Sequence, residues 1–159
     1  MNNSDKSDPK VVKQKLARYC AYQERSVLQV RQKLSEFPIS SDQSAQLIQE
    51  LKEEGFVNDQ RFAQVFSGSK FRLKKWGRQK IVFALRQHQL GDHTIHKALQ
   101  EIDENDYLET LQNLITNRKT LIRKKELNPY VANQKIANYM IRKGFEADLV
   151  WDILKGDIN

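Results

Sequence analysis

The chain has 159 residues, of which 39% are apolar and 30% charged, so it can bury a core, although a thin one. Its formal net charge of +7 predicts an acidic partner, such as nucleic acid, an acidic protein surface or a membrane surface. The single cysteine, Cys20, excludes an intrachain disulfide, and neither a signal peptide nor a membrane-spanning apolar run is recognisable. We therefore expect a cytoplasmic protein.

Helices are favoured over strands, because the chain contains only 6 Gly and 3 Pro. Residues 1–8 are polar and are predicted to be disordered. Asp8 followed by Pro9 predicts the start of an N-terminal helix over residues 9–25. Cys20 lies on the apolar stripe of that helix, which predicts a buried and unreactive thiol.

Three further helices follow in chain order. Ser26 with Gln29 is typical of a capping box at a helix start. The next helix is predicted over about residues 42–54, with Gly55 at its C-terminal end, and Asn58 is expected to cap the helix after it. The side chains expected to face inward are Ala45, Ile48 and Leu51 in the first of these two helices and Phe62, Phe66 and Leu73 in the second.

The apolar positions then repeat, with a shift of 51 and a further shift of 55 residues. Equivalent positions under these shifts are Val30, Ile81 and Ile136; Leu34, Leu85 and Met140; and Leu90 with Phe145. Gly91 and Gly144 occupy matching turns. We predict an all-α protein: an elongated tandem array of about three three-helix modules, the last truncated, preceded by the N-terminal helix. The modules are predicted over residues 26–76, 77–127 and 128–159, the last with two helices.

Lysine and arginine are concentrated in two groups that contain no acidic residue. Residues 60–91 hold eight cations and residues 117–125 hold five, while an acidic segment occupies residues 101–109. A solvated helix face usually mixes both signs at i,i+4 spacing, so this segregation favours a binding surface. The candidate binding cations are Lys70, Arg72, Lys74, Lys75, Arg78, Lys80 and Arg86 in the first group, and Arg118, Lys119, Arg123, Lys124 and Lys125 in the second.

Two interpretations stay open for these cations and for Trp76, which lies among them. The cations bind phosphates or an acidic protein surface, or they are ordinary solvated charges. For the second group, the attraction of cations to a helix C-terminus is a sufficient structural explanation. Trp76 stacks on a base or on a protein surface, or it fills a seam between modules, and its place at a module junction favours the seam.

Other conspicuous residues favour structural roles. Gly55 is expected in a left-handed conformation at a helix end, and Asp59 near the start of the next helix, with Phe62 and Phe66 as core anchors. The three histidines are expected to be exposed, since a zinc site needs additional ligands. No phosphate-binding loop, metal-ligand pattern or nucleophile–base pair occurs, so we expect no cofactor, no metal and no enzymatic activity.

Four stretches together resemble the RecX family, the bacterial modulators of the RecA recombinase. They are QERSVLQVRQKL (residues 23–34), LKEEGFVNDQRFAQVF (51–66), KKWGRQKIVFALRQHQLG (74–91) and IANYMIRKGFEADLVWDIL (136–154). The most specific element is the run from Gly55 to Ala63, followed by the basic Trp-Gly-Arg segment. Asn58 departs from the family, which usually has an acid there, but either residue caps a helix.

The resemblance implies a regulator that binds the RecA–single-stranded DNA filament through tandem three-helix modules. Such a protein would inhibit or modulate ATP hydrolysis, strand exchange and filament growth in recombination, DNA repair and the SOS response, without a cofactor. Its binding to single- or double-stranded DNA would be weak and nonspecific, and we expect a monomer. The alternative is a direct DNA-binding protein of helix-turn-helix type. A membrane surface is a disfavoured partner, because the basic segment lacks a broad apolar face.

Overall fold

The computed structural model describes residues 6–156, and within that range the chain forms nine α-helices and no strand. The helices are α1 (Pro9–Tyr22), α2 (Val27–Leu34), α3 (Ser41–Glu53), α4 (Asp59–Lys74), α5 (Arg78–Gln87), α6 (Asp92–Leu99), α7 (Glu104–Arg123), α8 (Pro129–Arg142) and α9 (Ala147–Gly156). The prediction of an all-α protein is confirmed. The predicted disorder of residues 1–8 concerns mainly residues outside the described range.

The helix starts are set by local capping interactions. Asp8 accepts a hydrogen bond from the Lys10 amide at 3.0 Å and begins α1. Ser26 and Gln29 form the predicted capping box of α2, in which each side chain accepts a hydrogen bond from the backbone amide of the other. Ser40 begins α3 with a second capping box of the same kind. Because these bonds join residues two or three positions apart, the sequence alone predicts such starts well.

The described chain divides into two compact units. Unit 1 consists of the residues up to Val65 together with Leu85–Ala98. Unit 2 consists of Phe66–Ala84 together with the residues from Leu99 onward. The division therefore falls within α4, within α5 and one residue before the end of α6, and not in the turns between helices.

Unit 1 contains a core built from α1, α2 and α3. Its fully or largely buried side chains are Val12, Leu16, Cys20, Val27, Val30, Leu34, Leu47, Ile48, Leu51 and Val57. Cys20 is buried as predicted, and burial raises the pKa of its thiol, which disfavours the reactive thiolate. The prediction that Ala45 faces inward is wrong: Ala45 is exposed, and Leu47 contributes the larger apolar side chain to the core instead.

The segment from Gly55 to Asp59 supplies the hydrogen-bond acceptors for the starts of two helices of unit 1, α2 and α4. Gly55 has a φ of +79°, the left-handed conformation that a glycine adopts without steric cost. Asn58 caps α4 by accepting a hydrogen bond from the Arg61 amide at 2.9 Å. Asp59 accepts from the Val27 amide at 2.8 Å, so its carboxylate satisfies a free amide at the start of α2. The sequence pointed only to the helix that Asp59 itself begins.

A buried polar contact lies beside this segment. Ser26 is fully buried, and its Oγ lies 2.9 Å from Nδ1 of His88. The His88 ring packs against the Phe62 ring, with the two centroids 4.7 Å apart. The prediction that His88 is exposed is therefore wrong, and burial lowers the pKa of its imidazole, with a smaller opposing effect from the Asp59 carboxylate.

The positions paired by the sequence repeat are buried throughout. Those with no more than about 1% exposure are Val30, Ile81, Ile136, Leu34, Leu85, Met140 and Phe145, and Leu90 is 8% exposed. Helical packing needs an apolar side chain at each of these turns, which explains why the period is visible in the sequence.

Lowering the pH from about 7.5 to about 5 is expected to destabilise the protein partly through His88. Because the folded pKa of His88 lies below its ordinary value of about 6.5, the unfolded chain takes up the proton first. The stabilisation is complete above that value and is lost as the pH falls towards the folded pKa. Urea unfolding of the wild type and of His88→Asn at both pH values measures the effect.

In His88→Asn the loss of stability between the two pH values should be smaller than in the wild type. His93→Asn, which changes an exposed histidine of α6, is the matched control and should keep the wild-type pH dependence. Equal pH dependence in all three proteins would contradict the assignment.

Candidate functional site

The buried centre of unit 2 is an aromatic cluster around Tyr107 of α7. Tyr107 is fully buried, and its ring centroid lies 5.7 Å from that of Phe71 and 5.2 Å from that of Phe145. These three residues come from α4, α7 and the turn before α9. The cluster therefore joins segments that are far apart in the sequence. The periodicity of apolar residues did not predict the central position of Tyr107 for this reason.

Arg78 of the basic stretch is anchored on this cluster. Its guanidinium lies 3.8 Å from the centre of the Tyr107 ring, forms an ion pair with Glu146 at 2.8 Å and forms a second ion pair with Glu104. The Arg78 amide donates to the Tyr107 hydroxyl at 3.1 Å, and that hydroxyl donates to Glu146. Burial and the Glu146 carboxylate raise the pKa of Tyr107, so the hydroxyl stays protonated.

Arg78 must consequently be removed from the predicted set of binding cations. Two carboxylates already neutralise its charge, and its side chain is only 23% exposed. Its role is to hold the first turn of α5 in place. The local sequence concealed this, because Arg78 and Glu146 are 68 positions apart.

The glycine before Arg78 permits a close crossing of two backbone segments. The Gly77 amide donates to the Lys143 carbonyl at 2.8 Å, and the Gln79 amide donates to the Gly144 carbonyl at 2.9 Å. A Cβ atom on Gly77 would lie only 2.2 Å from the Gly144 backbone, and one on Gly144 would lie 2.5 Å from Lys80 Cβ. Gly144 also has a φ of +103°. Both glycines are thus required by the geometry of the crossing.

Trp76 is half-buried beside this crossing. Its ring packs edge-on against Phe66, with the two centroids 6.3 Å apart. The Lys70 and Lys80 ammonium groups lie 4.9 Å and 4.6 Å from the ring centre, which is the range of cation–π attraction. Both interpretations of Trp76, as a packing residue and as a binding residue, therefore stay open. The ring packs on Phe66 within unit 2, and two cations lie beside it.

Lys75 has an unusual backbone conformation. Its φ is +56°, in the left-handed region that costs a side chain with a Cβ roughly 1–2 kcal/mol. The conformation reverses the chain after α4, so that the Trp76 amide donates to the Lys70 carbonyl at 3.1 Å. Gly55 and Gly144 serve the corresponding helix ends of α3 and α8 at no such cost.

The outer face of this region is basic with exposed apolar side chains. The exposed cations are Arg72, Lys74, Lys75 and Lys80. The prediction that Leu73 faces inward is wrong: it is 78% exposed, and Phe71 fills the buried position instead. Phe83 of α5 is also largely exposed. A surface with both properties suits a partner that is acidic and partly apolar.

Tyr139 and Lys143 connect the two cation groups within unit 2. The Arg118 guanidinium lies 3.9 Å from the centre of the Tyr139 ring, and the Lys143 ammonium lies 5.9 Å from it. Lys143 Nζ also donates to the Lys74 carbonyl at 3.4 Å. Sequence reasoning missed Lys143, and the signal that could have found it is its position directly before Gly144. We call Lys70, Arg72, Lys74, Lys75, Lys80 and Lys143 the basic surface.

The remaining predicted cations differ in their surroundings. Arg118 and Lys119 are half-buried, and burial, followed by the neighbouring Arg123, lowers the pKa of Lys119. The exposed members are Arg123, Lys124 and Lys125 at the end of α7. In unit 1, Arg86 is exposed and lies 3.7 Å from the Asp92 carboxylate.

Residues 6–156 contain no cluster of three or more His, Cys, Asp or Glu side chains that could hold a metal ion. None of the helices within these residues is long and apolar enough to cross a membrane.

Two sequence models of one family match the chain. The model described as "RecX, second three-helix domain" matches residues 58–99, which contain α4–α6. The model described as "RecX, third three-helix domain" matches residues 104–154, which contain α7, α8 and most of α9. The two matches together cover more than half of the chain. The matched domains begin at α4 and α7, whereas the predicted modules begin at α2, α5 and α8. The limits of the modules stay a prediction.

Curated relatives and solved structures carry the same family name. A protein named "Regulatory protein RecX" from Clostridium botulinum (strain Eklund 17B / Type B) is 30% identical over 82% of this chain and 61% of its own length. One of that name from Clostridium perfringens (strain 13 / Type A) is 29% identical over 80% of this chain and 59% of its own length. The chain thus spans about three fifths of these curated relatives.

The crystal structure of RecX from Lactobacillus salivarius superposes with a TM-score of 0.84, over 95% of this chain and 97% of that one, at 20% identity. Another structure, described as "Crystal structure of regulatory protein RecX", gives a TM-score of 0.81 over 97% of this chain and 73% of that one, at 19% identity. At these identities the likeness shows a shared helical fold.

Gly77→Ala is expected to lower the free energy of unfolding by about 1–3 kcal/mol, since the added methyl group meets the Gly144 backbone. Gly91→Ala is the control, because a Cβ atom there meets nothing within 4 Å, and its effect should stay within about 0.5 kcal/mol. Urea unfolding of both variants measures the difference. Equal stability of the two variants would mean that the backbone crossing is not close.

Lys75→Gly is expected to raise the free energy of unfolding by up to about 1 kcal/mol, since glycine relieves the left-handed strain. Lys74→Gly removes the same charge one residue earlier, at the last residue of α4, where no strain is relieved, and should lower stability by up to about 1 kcal/mol. Thermal and urea unfolding compare the pair. Destabilisation by both substitutions would contradict the strained conformation of Lys75.

Proposed function

The chain belongs to the RecX family, and on that premise we propose that it is a non-enzymatic regulator of the RecA recombinase. It binds the RecA–single-stranded DNA filament and restrains ATP hydrolysis, strand exchange and filament growth. Its relatives are named regulatory proteins, which supports a regulatory rather than a catalytic role. No cofactor is needed for this action, and we propose that the protein works in the cytoplasm as a monomer.

The basic surface is the observation that carries the proposal. Five cations that come from residues 70–80 lie in one unit with Lys143, whose ammonium contacts the Lys74 carbonyl. Arg78, the one cation of the stretch with carboxylate partners, holds the fold instead. The others are therefore available to phosphates or to an acidic protein groove, and their attraction acts before contact and speeds association.

Tandem modules explain how weak contacts add up to control of a filament. A single exposed cation contributes little, but linked sites on one chain raise each other's effective concentration. A chain that spans neighbouring RecA subunits would restrict the subunit movements that accompany nucleotide turnover. Occupation of the DNA groove would also keep a second DNA molecule out.

Direct DNA binding is the second candidate, and the cations around Trp76 favour it. The ring lies close to Lys70 and Lys80, and an aromatic ring among cations can stack on the bases of a single strand. We propose that such binding is weak, nonspecific and an accessory to filament binding. Its affinity should then fall steeply with rising salt and should not depend on the DNA sequence.

Replacement of Lys70, Arg72, Lys74, Lys75 and Lys80 by Ala is expected to weaken inhibition of RecA ATPase on single-stranded DNA. The protein concentration for half inhibition should rise at least about tenfold, since exposed charge pairs contribute up to about 1 kcal/mol each. Arg78 stays unchanged, because its side chain has structural partners in Glu104, Glu146 and Tyr107. The measurement is ATP hydrolysis by RecA filaments titrated with each protein.

The matched control removes five exposed cations of unit 1: Lys10, Arg18, Arg31, Lys52 and Lys97, each changed to Ala. It loses the same charge and should inhibit like the wild type. Equal weakening of both variants would show that only net charge matters, and undiminished inhibition by the first would move the contact elsewhere. A wild type that leaves ATP hydrolysis unchanged at saturation would refute the RecA proposal.

A further inference from the structure

Unit 2 contains a cleft between α7 and α8 that is lined by none of the six residues of the basic surface, although Lys143 lies beside its Tyr139. It has a volume of about 460 Å³. The residues that matter for its chemistry are Arg118, Leu121, Lys125, Lys135, Tyr139 and Arg142. Its size falls within the range of small binding sites, about 300–1,000 Å³.

The cleft is strongly cationic. Four of its lining residues are lysine or arginine, and the one acidic residue, Glu126, already has partners. The Glu126 carboxylate accepts a hydrogen bond from the Asn128 amide at 3.2 Å and lies 3.5 Å from the Lys135 ammonium. The uncompensated charge therefore selects a negatively charged ligand.

Two of the lining residues, Arg118 and Tyr139, pack against each other. The guanidinium plane of Arg118 lies 3.9 Å from the centre of the Tyr139 ring, and its Nε atom is buried without a hydrogen-bond partner. Packing thus fixes the orientation of a planar, bidentate donor before any ligand arrives. A preorganised donor loses little entropy when it binds a carboxylate.

The cleft also carries an exposed apolar side chain. Leu121 lines it and is 56% exposed. An exposed leucine beside cations is typical of a protein interaction site. Leu121 gains nothing from a phosphate and has no flat face on which a base could stack, so it favours a protein ligand over a nucleic acid.

We propose that this cleft is a docking site for an acidic protein segment, in which carboxylates flank an aliphatic side chain. The carboxylates bind Arg118, Lys125 and Arg142, and the aliphatic side chain packs against Leu121. This inference does not rest on the contacts proposed for the basic surface, because none of the six cations of that surface lines the cleft.

The experiment measures fluorescence anisotropy of a short labelled peptide of alternating glutamate and leucine with the full-length chain. Leu121→Ser and Lys125→Glu test the two halves of the site, and both residues are exposed, so the fold should survive. Each should weaken binding by about tenfold, the effect of losing one buried leucine or reversing one charge. Lys97→Glu, at an exposed lysine of unit 1, is the charge-matched control and should bind like the wild type.

Two comparison ligands make the test decisive. A polyglutamate peptide of equal charge should bind much more weakly, and equal binding would overturn the role of Leu121. An oligodeoxythymidine of similar charge should be insensitive to Leu121→Ser. If the oligonucleotide binds tightly and depends on both substitutions while the peptide does not bind, the cleft is a nucleic-acid site and the proposal is wrong.

Discussion

The arrangement of unit 2 depends on the close crossing of the backbone at Gly77 and Gly144. Because both residues lack a side chain, the two segments approach closely enough for the Gly77 and Gln79 amides to donate to the Lys143 and Gly144 carbonyls. Arg78, the next residue, stabilises the crossing through ion pairs with Glu104 and Glu146 and through the hydrogen bond of its amide to Tyr107. A partly buried charge pair is favourable only when hydrogen bonds and neighbouring charges satisfy both partners, as they do here.

The three residues of the Trp-Gly-Arg segment have three different roles at the crossing. The tryptophan ring packs on Phe66 and lies close to two lysines, the glycine permits the approach, and the arginine anchors α5. Residues with a structural role and residues available for binding thus alternate along the chain. The basic stretch therefore does not act as one uniform patch.

Unit 2 also brings together cations that the sequence separates. The end of α8 supplies Tyr139 and Lys143, which contact Arg118 on one side and the Lys74 carbonyl on the other. As a result, the Trp76 and Tyr139 rings each lie beside two cations and attract them. Such a surface presents its charge in a defined place, which favours recognition over simple attraction.

The sequence by itself determined the helices, their caps and the periodic burial of their apolar positions, because these follow from contacts within a few residues. It was also sufficient for the family. Only the tertiary structure decided that Arg78 is internally paired, that Phe71 and not Leu73 is buried, and that Lys143 joins the basic surface. The physical reason is sequence distance: the partners of Arg78 and Lys143 lie up to 69 positions away, where neither period nor spacing carries a signal.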